Sequence, residues 1–240
     1  ESLSLLDNLN VPAIKVGSGE LTNTPFLREI AETGRPMIVS TGMSTMGEVE
    51  TAVETIRTAN EDVSLGLLHC VSVYPTDIDL VNLRAMKAMN DRFDVPIGFS
   101  DHTTQVETMG LAVAMGATII EKHLTLDRSL PGPDHEASLE PNELDRAVDI
   151  VRNAERAKGS PEKCPVGDEI DTAYVARKSL HASEQIDRHD RFTEKNIEIT
   201  RPADGLPPKD YDEVLNNTSS SGIEPGDPIT ADNILSTYDE

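Results

Sequence analysis

From residue 13 to about 155 the sequence alternates between two textures, and this alternation limits the fold more than any other feature. Short apolar runs rich in β-branched residues stand at 13–17 (AIKVG), 36–41 (PMIVST), 63–70 (VSLGLLHC), 96–100 (PIGFS) and 117–123 (ATIIEKH). Continuous apolar runs of that length suit strands covered on both faces. Between them lie segments with helix punctuation. PFLREIAETG ends in Gly34, STMGEVETAVETIRTAN opens on a Ser/Thr cap, and LVNLRAMKAMNDRF and TQVETMGLAVAMG follow. EPNELDRAVDIVRNAERAKG carries Pro141 in its first turn and stops at Gly159. Strand and helix in turn predict βα units on a parallel sheet.

Each of the five strand-like runs ends in polar residues: Ser18 and Glu20, Ser40 and Thr41, His69, Ser100 to His102, and Glu121 to His123. An open doubly wound sheet gathers ligands at one switch point. A (β/α)8 TIM barrel decorates the carboxyl end of every strand, so a barrel is the better fit, with about three of its eight strands absent from this stretch. The first residue is Glu1, which agrees with a piece of a longer chain. The texture changes after Gly159. SPEKCPVGDEID reads as a linker, and the segments beyond it are short, contain Thr and Ile, and are separated by turn signals such as ADGLPP and EPGDP. The expected organisation is a partial barrel over 1–158, a linker over 159–171 and a small β-rich domain over 172–240.

Composition narrows the partners. Asp and Glu number 43 against 21 Lys and Arg, a net charge of −22. Such a chain repels phosphate backbones and anionic membrane surfaces, so neither nucleic acid nor a membrane is expected as a partner. No run approaches the roughly 20 apolar residues of a membrane span. Cys70 and Cys164 are far apart and form no C-x-x-C pair. That suits a reducing cytoplasm, with Cys70 as a buried thiol.

His102 and His123 follow successive strand-like runs. On neighbouring parallel strands, ~4.8 Å apart, both imidazoles stand over one end of the sheet. There they could share a divalent metal with open positions, or simply cap their strands by hydrogen bonds. Each is flanked by a carboxylate, Asp101 or Glu121, which favours the metal or a catalytic role. Lys15 lies within a strand-like run, a costly place for an ammonium unless it meets an anion. It could hold a phosphate or carboxylate, act as a Schiff-base nucleophile, or snorkel to the rim. Ser72 and Tyr74 in HCVSVYPT, and Asp134 and His135 in LPGPDHEASLEP, fall beyond strand ends as plausible substrate contacts.

Taken in order, KVGSGE, STGMS, LHCVSVYPT, GFSDHT, EKHLTLD and GPDHEASLEP resemble the sialic acid synthase family. Those transferases condense phosphoenolpyruvate with an N-acylated amino-sugar aldehyde such as N-acetylmannosamine. The C-terminal segment is similar to the antifreeze-like SAF domain, a β-clip fold, that ends these enzymes. The resemblance implies a divalent metal, Mn2+ or Mg2+, on His102 and His123. It implies phosphoenolpyruvate on Lys15, Ser18, Ser72 and Ser100, and a sugar aldehyde near Tyr74, Glu20 and Asp134. Glu121 becomes a supporting carboxylate near the metal. Arg201 becomes an arginine that one subunit extends into its partner's barrel to read the N-acyl group, implying a domain-swapped homodimer. The family often has Asn where Ser72 stands, and its N-terminal strands, with a phosphate-binding lysine, have no counterpart in these residues. Other readings are a sister synthase for legionaminic, pseudaminic or spore-coat sugars, a Schiff-base aldolase using Lys15 or Lys122, and a non-catalytic carbohydrate-binding protein.

Acidic residues spread along the whole chain also match a halophilic host, because dense salt screens their self-repulsion. The expected outcome is a higher unfolding midpoint in molar KCl than in ~0.1 M KCl, measured by circular dichroism. Equal midpoints would remove the halophilic reading.

Overall fold

The computed structural model describes residues 2–235. The chain forms two compact units, Glu1–Gly159 and Ser160–Glu240. The first runs α1 (Ser2–Asn8), β1 (Ile14–Val16), α2 (Thr24–Glu32), β2 (Met37–Ser40), α3 (Met46–Ala59) and β3 (Leu65–Cys70). It continues with α4 (Arg84–Arg92), β4 (Ile97–Asp101), α5 (Glu107–Ala114), β5 (Ile120–Lys122) and α6 (Pro141–Lys158). All five strands are parallel and lie in chain order, β1-β2-β3-β4-β5. Every strand-like run read in the sequence supplies one of them.

Local chemistry sets the helix boundaries. Asn23 caps α2 by accepting from the Phe26 N–H, and past the helix end Gly34 takes φ +73°, where a glycine costs no strain. Thr45 and Glu48 form a reciprocal capping box at the start of α3, and Glu140 with Glu143 does the same for α6. The outward side chains of the sheet, among them Met37, Val39, Leu67, Ile97 and Phe99, pack with Leu27, Ile30, Ile56 and Met89 of the helices in one core.

The sheet is strongly curled. On a flat sheet β1 and β5 would stand ~19 Å apart, four strand spacings. Lys15 of β1 and Glu121 of β5 instead form an ion pair at 3.3 Å. Their side chains therefore meet across a concave face, as in the arc of a barrel wall. That face is glycine-lined at its lower end. A Cβ at Gly98 would lie 2.4 Å from the Ile119 carbonyl oxygen and 2.6 Å from Leu68 Cδ2, and one at Gly66 would lie 2.9 Å from Ile119 Cδ1. Ile119 fills the space that these glycines leave.

His69, read in the sequence as a polar strand end at the barrel mouth, does not face it. It shares the convex side with Phe99, its ring stacked at a centroid distance of 6.1 Å, and its Nε2 is 2.8 Å from the Val81 carbonyl. Only an N–H can satisfy that carbonyl, so Nε2 carries the proton. Burial holds this imidazole below its ordinary value, opposed by the Val81 hydrogen bond.

The second unit holds α7 (Glu169–Ala176), β6 (Ser179–Ala182), β7 (Ile197–Thr200), α8 (Tyr211–Val214), β8 (Thr218–Ser219) and β9 (Ile234–Leu235). The strands pair antiparallel, β6 with β7 and β8 with β9, around Leu180, Phe192, Ile223 and Ile229. A buried polar network pins its turns. The Ser179 hydroxyl donates to the Pro202 carbonyl at 2.6 Å and accepts from the Gly205 N–H at 3.0 Å, while His181 Nδ1 donates to the Gly226 carbonyl. α7 begins inside the stretch read as linker. Its stop and start signals are weak, and no residue of it is buried. No helix among the described residues is long and apolar enough to cross a membrane.

Two outcomes are expected. Gly98→Ala should destabilise the first unit by ~1–3 kcal/mol in urea unfolding, because the added methyl meets backbone on a packed face. For His69, the unfolded chain takes up a proton before the folded chain does, since the folded group titrates below its ordinary value near 6.5. Stability should therefore be complete above about pH 6.5 and decline as the pH falls below it. His69→Gln should show a smaller decline over the same range.

Candidate active site

The concave face ends, at the carboxyl edge of the strands, in a cluster of polar side chains. Strand alternation explains which residues reach it: Ser100 and His102 share one side of β4, and Glu121 and His123 the same side of β5. Ser100 and Glu121 are direct cross-strand partners. The Ser100 hydroxyl donates to Glu121 Oε1 at 2.7 Å, while Glu121 Oε2 faces the Lys15 ammonium at 3.3 Å. One carboxylate thus joins the first and last strands of the sheet through residues from β1, β4 and β5.

Beyond this bridge stand the two histidines. Their ring centroids are 5.4 Å apart, with the planes at 67°. Nδ1 of His102 is 2.7 Å from the Val71 carbonyl, which can only accept, so Nδ1 carries the proton. Ser100 Oγ lies 3.4 Å from Nε2 but spends its hydrogen on Glu121, so Nε2 keeps its lone pair, the tautomer a metal ligand requires. Burial, first, holds His102 below the ordinary imidazole range, with the Val71 hydrogen bond opposing it and His123 and Lys122 adding to it. Tyr74 lies over both rings, at 4.1 Å from His102 and 5.7 Å from His123. Partial burial, then the charges of Cys70, Asp134 and Glu121, push its phenol upward, so it stays protonated.

A second group forms where β1, β2 and β3 end. Ser18, on the 3-10 turn after β1, accepts from the Gly42 N–H at 3.0 Å and lies 3.1 Å from Cys70 Sγ. A Cβ on Gly42 would fall 2.2 Å from Ser72 Oγ, 2.8 Å from Ser18 Oγ and 2.9 Å from Cys70 Sγ. Only a residue without a side chain lets the three meet. The hydroxyls of Ser72 and Ser40 are buried without a hydrogen-bond partner. Most buried hydroxyls in native structures have partners, so the cradle around Gly42, with Ser72 unpaired, is chemically suited to a polar ligand. Ser40 and Gly42 were not among the residues singled out for binding. Their signal was the stretch STGMS directly after a strand.

Other expected residues lie off the concave face. Asp101, the carboxylate that flanks His102 in sequence, points to the convex side, buried, with the Lys122 ammonium 3.3 Å from its Oδ2. Lys122 is therefore unavailable as a nucleophile on the concave face. Glu20 sits on the exposed turn after β1 and accepts from Asn23 at 2.7 Å. Asp134 lies in the exposed loop before α6, near enough for its charge to act on Tyr74. Arg201 belongs to the second unit, where its Nε donates to the Ala176 carbonyl at 2.7 Å.

Residues 1–163 match the NeuB family and residues 177–235 the SAF domain. The chain is 38% identical over 225 residues to N,N'-diacetyllegionaminic acid synthase of Campylobacter jejuni, covering 93% of this chain and 67% of that protein. It is 36% identical over 231 residues to human N-acetylneuraminate-9-phosphate synthase, covering 95% and 64%. The crystal structure of the spore coat polysaccharide biosynthesis protein SpsE from Bacillus subtilis aligns with a TM-score of 0.62 at 31% identity, covering 98% of this chain and 71% of that one. The chain thus spans about two thirds of the length of such relatives. With a curled parallel sheet carrying this cluster and a SAF domain after it, the chain belongs to the NeuB family.

Proposed function

We propose that this chain carries out, as part of a (β/α)8 synthase, the condensation of phosphoenolpyruvate with an N-acylated, mannosamine-like amino-sugar aldehyde. The products are a nonulosonic acid and inorganic phosphate. The single observation that carries this reading is the pairing of His102, its Nε2 lone pair free, with His123 above the Lys15–Glu121–Ser100 bridge. Relatives named as legionaminic, pseudaminic and N-acetylneuraminate 9-phosphate synthases support the reaction class.

Each residue has a definite task in it. Lys15 neutralises a carboxylate or phosphate of phosphoenolpyruvate by charge attraction. Ser18, Ser72 and Ser100, joined by Ser40, supply hydroxyls to the same ligand. The two histidines fit a divalent cation, Mn2+ or Mg2+. Among the described residues no third His, Cys, Asp or Glu joins them, which leaves positions for water or substrate. Bound there, the cation would polarise the sugar aldehyde as a Lewis acid. Tyr74, kept protonated, donates a hydrogen bond to the sugar beside the histidines. The enol carbon attacks the aldehyde, water adds at C2 of the former phosphoenolpyruvate, and phosphate leaves with cleavage of the C–O bond. Glu20 or Asp134 moves the protons of these steps. Arg201 reads the N-acyl group from the partner subunit in a domain-swapped homodimer.

The test measures phosphate release from phosphoenolpyruvate with a panel of N-acylated sugars, with and without Mn2+. An 18O label in the bridging ester oxygen should appear in the released phosphate, because the C–O bond breaks. His102→Ala should lower turnover about 100-fold or more, the scale of losing electrostatic stabilisation of the reacting centre. Phosphate free of label, or undiminished turnover in His102→Ala, would overturn the reading.

A further inference from the structure

Two pairs of side chains tie β4 to β5 just before the histidines, one on each face. On the concave face Ser100 and Glu121 are cross-strand partners joined by a hydrogen bond. On the convex face the next partners are Asp101 and Lys122, an ion pair at 3.3 Å with side-chain exposures of 0% and 4%, in which Asp101 Oδ2 meets the ammonium by charge and makes no hydrogen bond. The Lys122 ammonium also donates to the Thr103 carbonyl, and the Thr103 N–H donates to Asp101 Oδ1 at 2.9 Å. His102 therefore sits between two residues held from the convex side. Its own carbonyl accepts from the Thr76 N–H at 2.8 Å. His123 directly follows Lys122.

A buried ion pair does not explain itself by stability. Desolvation of two charges consumes most or all of their attraction, and apolar replacements of similar volume are often neutral or stabilising. What such a pair does well is fix register. A slip of one residue between β4 and β5 would turn one set of side chains over, carrying one histidine to the convex side. With Lys122 and Asp101 buried opposite each other, that slip would put an ammonium or a carboxylate against an apolar or unpaired neighbour. The alternation of the strand then makes the convex pair and the concave histidines consecutive residues of the same lock.

We propose that Asp101 and Lys122 are positioning residues: their pair on the convex face sets the register of β4 against β5 and hence the spacing of His102 and His123 as metal ligands. The inference rests on the reading of those histidines given above. It assigns no contact between the pair and substrate. Its signature is a metal affinity that falls while the fold holds.

The experiment uses the 240-residue chain. Mn2+ binding is titrated by the electron paramagnetic resonance of the free ion, and folding is followed by circular dichroism and urea unfolding. Asp101→Asn/Lys122→Met removes both charges and leaves none orphaned. It should keep or raise the urea midpoint and weaken Mn2+ binding about 10- to 100-fold, the range for groups that orient ligands without touching the metal. Lys122→Met alone strands a buried carboxylate and should lower the midpoint as well. Should the double variant not fold, Asp101→Asn alone, which keeps an acceptor for the Thr103 N–H, should still weaken binding severalfold. A folded variant with unchanged Mn2+ affinity overturns the positioning role and leaves the histidine site standing. An unaltered chain that binds no Mn2+ overturns both.

Discussion

The Glu121 carboxylate is the constraint on which the first unit turns. It accepts from Ser100 on the neighbouring strand and faces Lys15 from the far edge of the sheet. Two strands at opposite edges share one anion only when the sheet closes toward itself, so the charge pattern and the curl require each other. The curl in turn needs the lower concave face kept small, which Gly66 and Gly98 provide around Ile119. Everything at the mouth then follows from strand parity. Side chains two residues above this bridge converge on one place, and those are His102 and His123.

The two faces of the sheet divide the labour. The convex side carries the apolar packing against the helices, with His69 and the Asp101–Lys122 pair among its polar exceptions. The concave side carries the candidate site, and its hydroxyls at Ser40 and Ser72 have no partner within the protein. Unsatisfied groups are rare in a packed interior, and the third such atom among the described residues, Asp101 Oδ2, lies on the convex side beside Lys122.

Much of this was legible in the sequence. Five apolar runs gave five strands, and the caps at Thr45 and Pro141 and the glycine stops marked the helices. The pairing of His102 with His123 followed from successive strand ends. The misreadings of strand residues have one physical source. A strand buried on both faces loses the alternation that reveals which way each residue points. His69 and Cys70 are adjacent in LGLLHC, and nothing local tells that Cys70 joins Ser18 while His69 turns to Phe99. Asp101 and Lys122 misled for the same reason, because a charged residue near a presumed site reads as part of it. The places of Glu20 and Asp134 depend on turns whose paths are set by tertiary contacts, and the helix after residue 168 lacks the punctuation that would have announced it.

Gly42 carries a consequence of another kind. The volume a methyl group would occupy there is the volume shared by Ser18, Cys70 and Ser72, outside the helix-packed core. Growth of a side chain at this point would push those three side chains apart, and strand pairing below would be untouched. The absence of a single carbon atom is thus what lets side chains that follow β1 and β3 meet beside the end of β2.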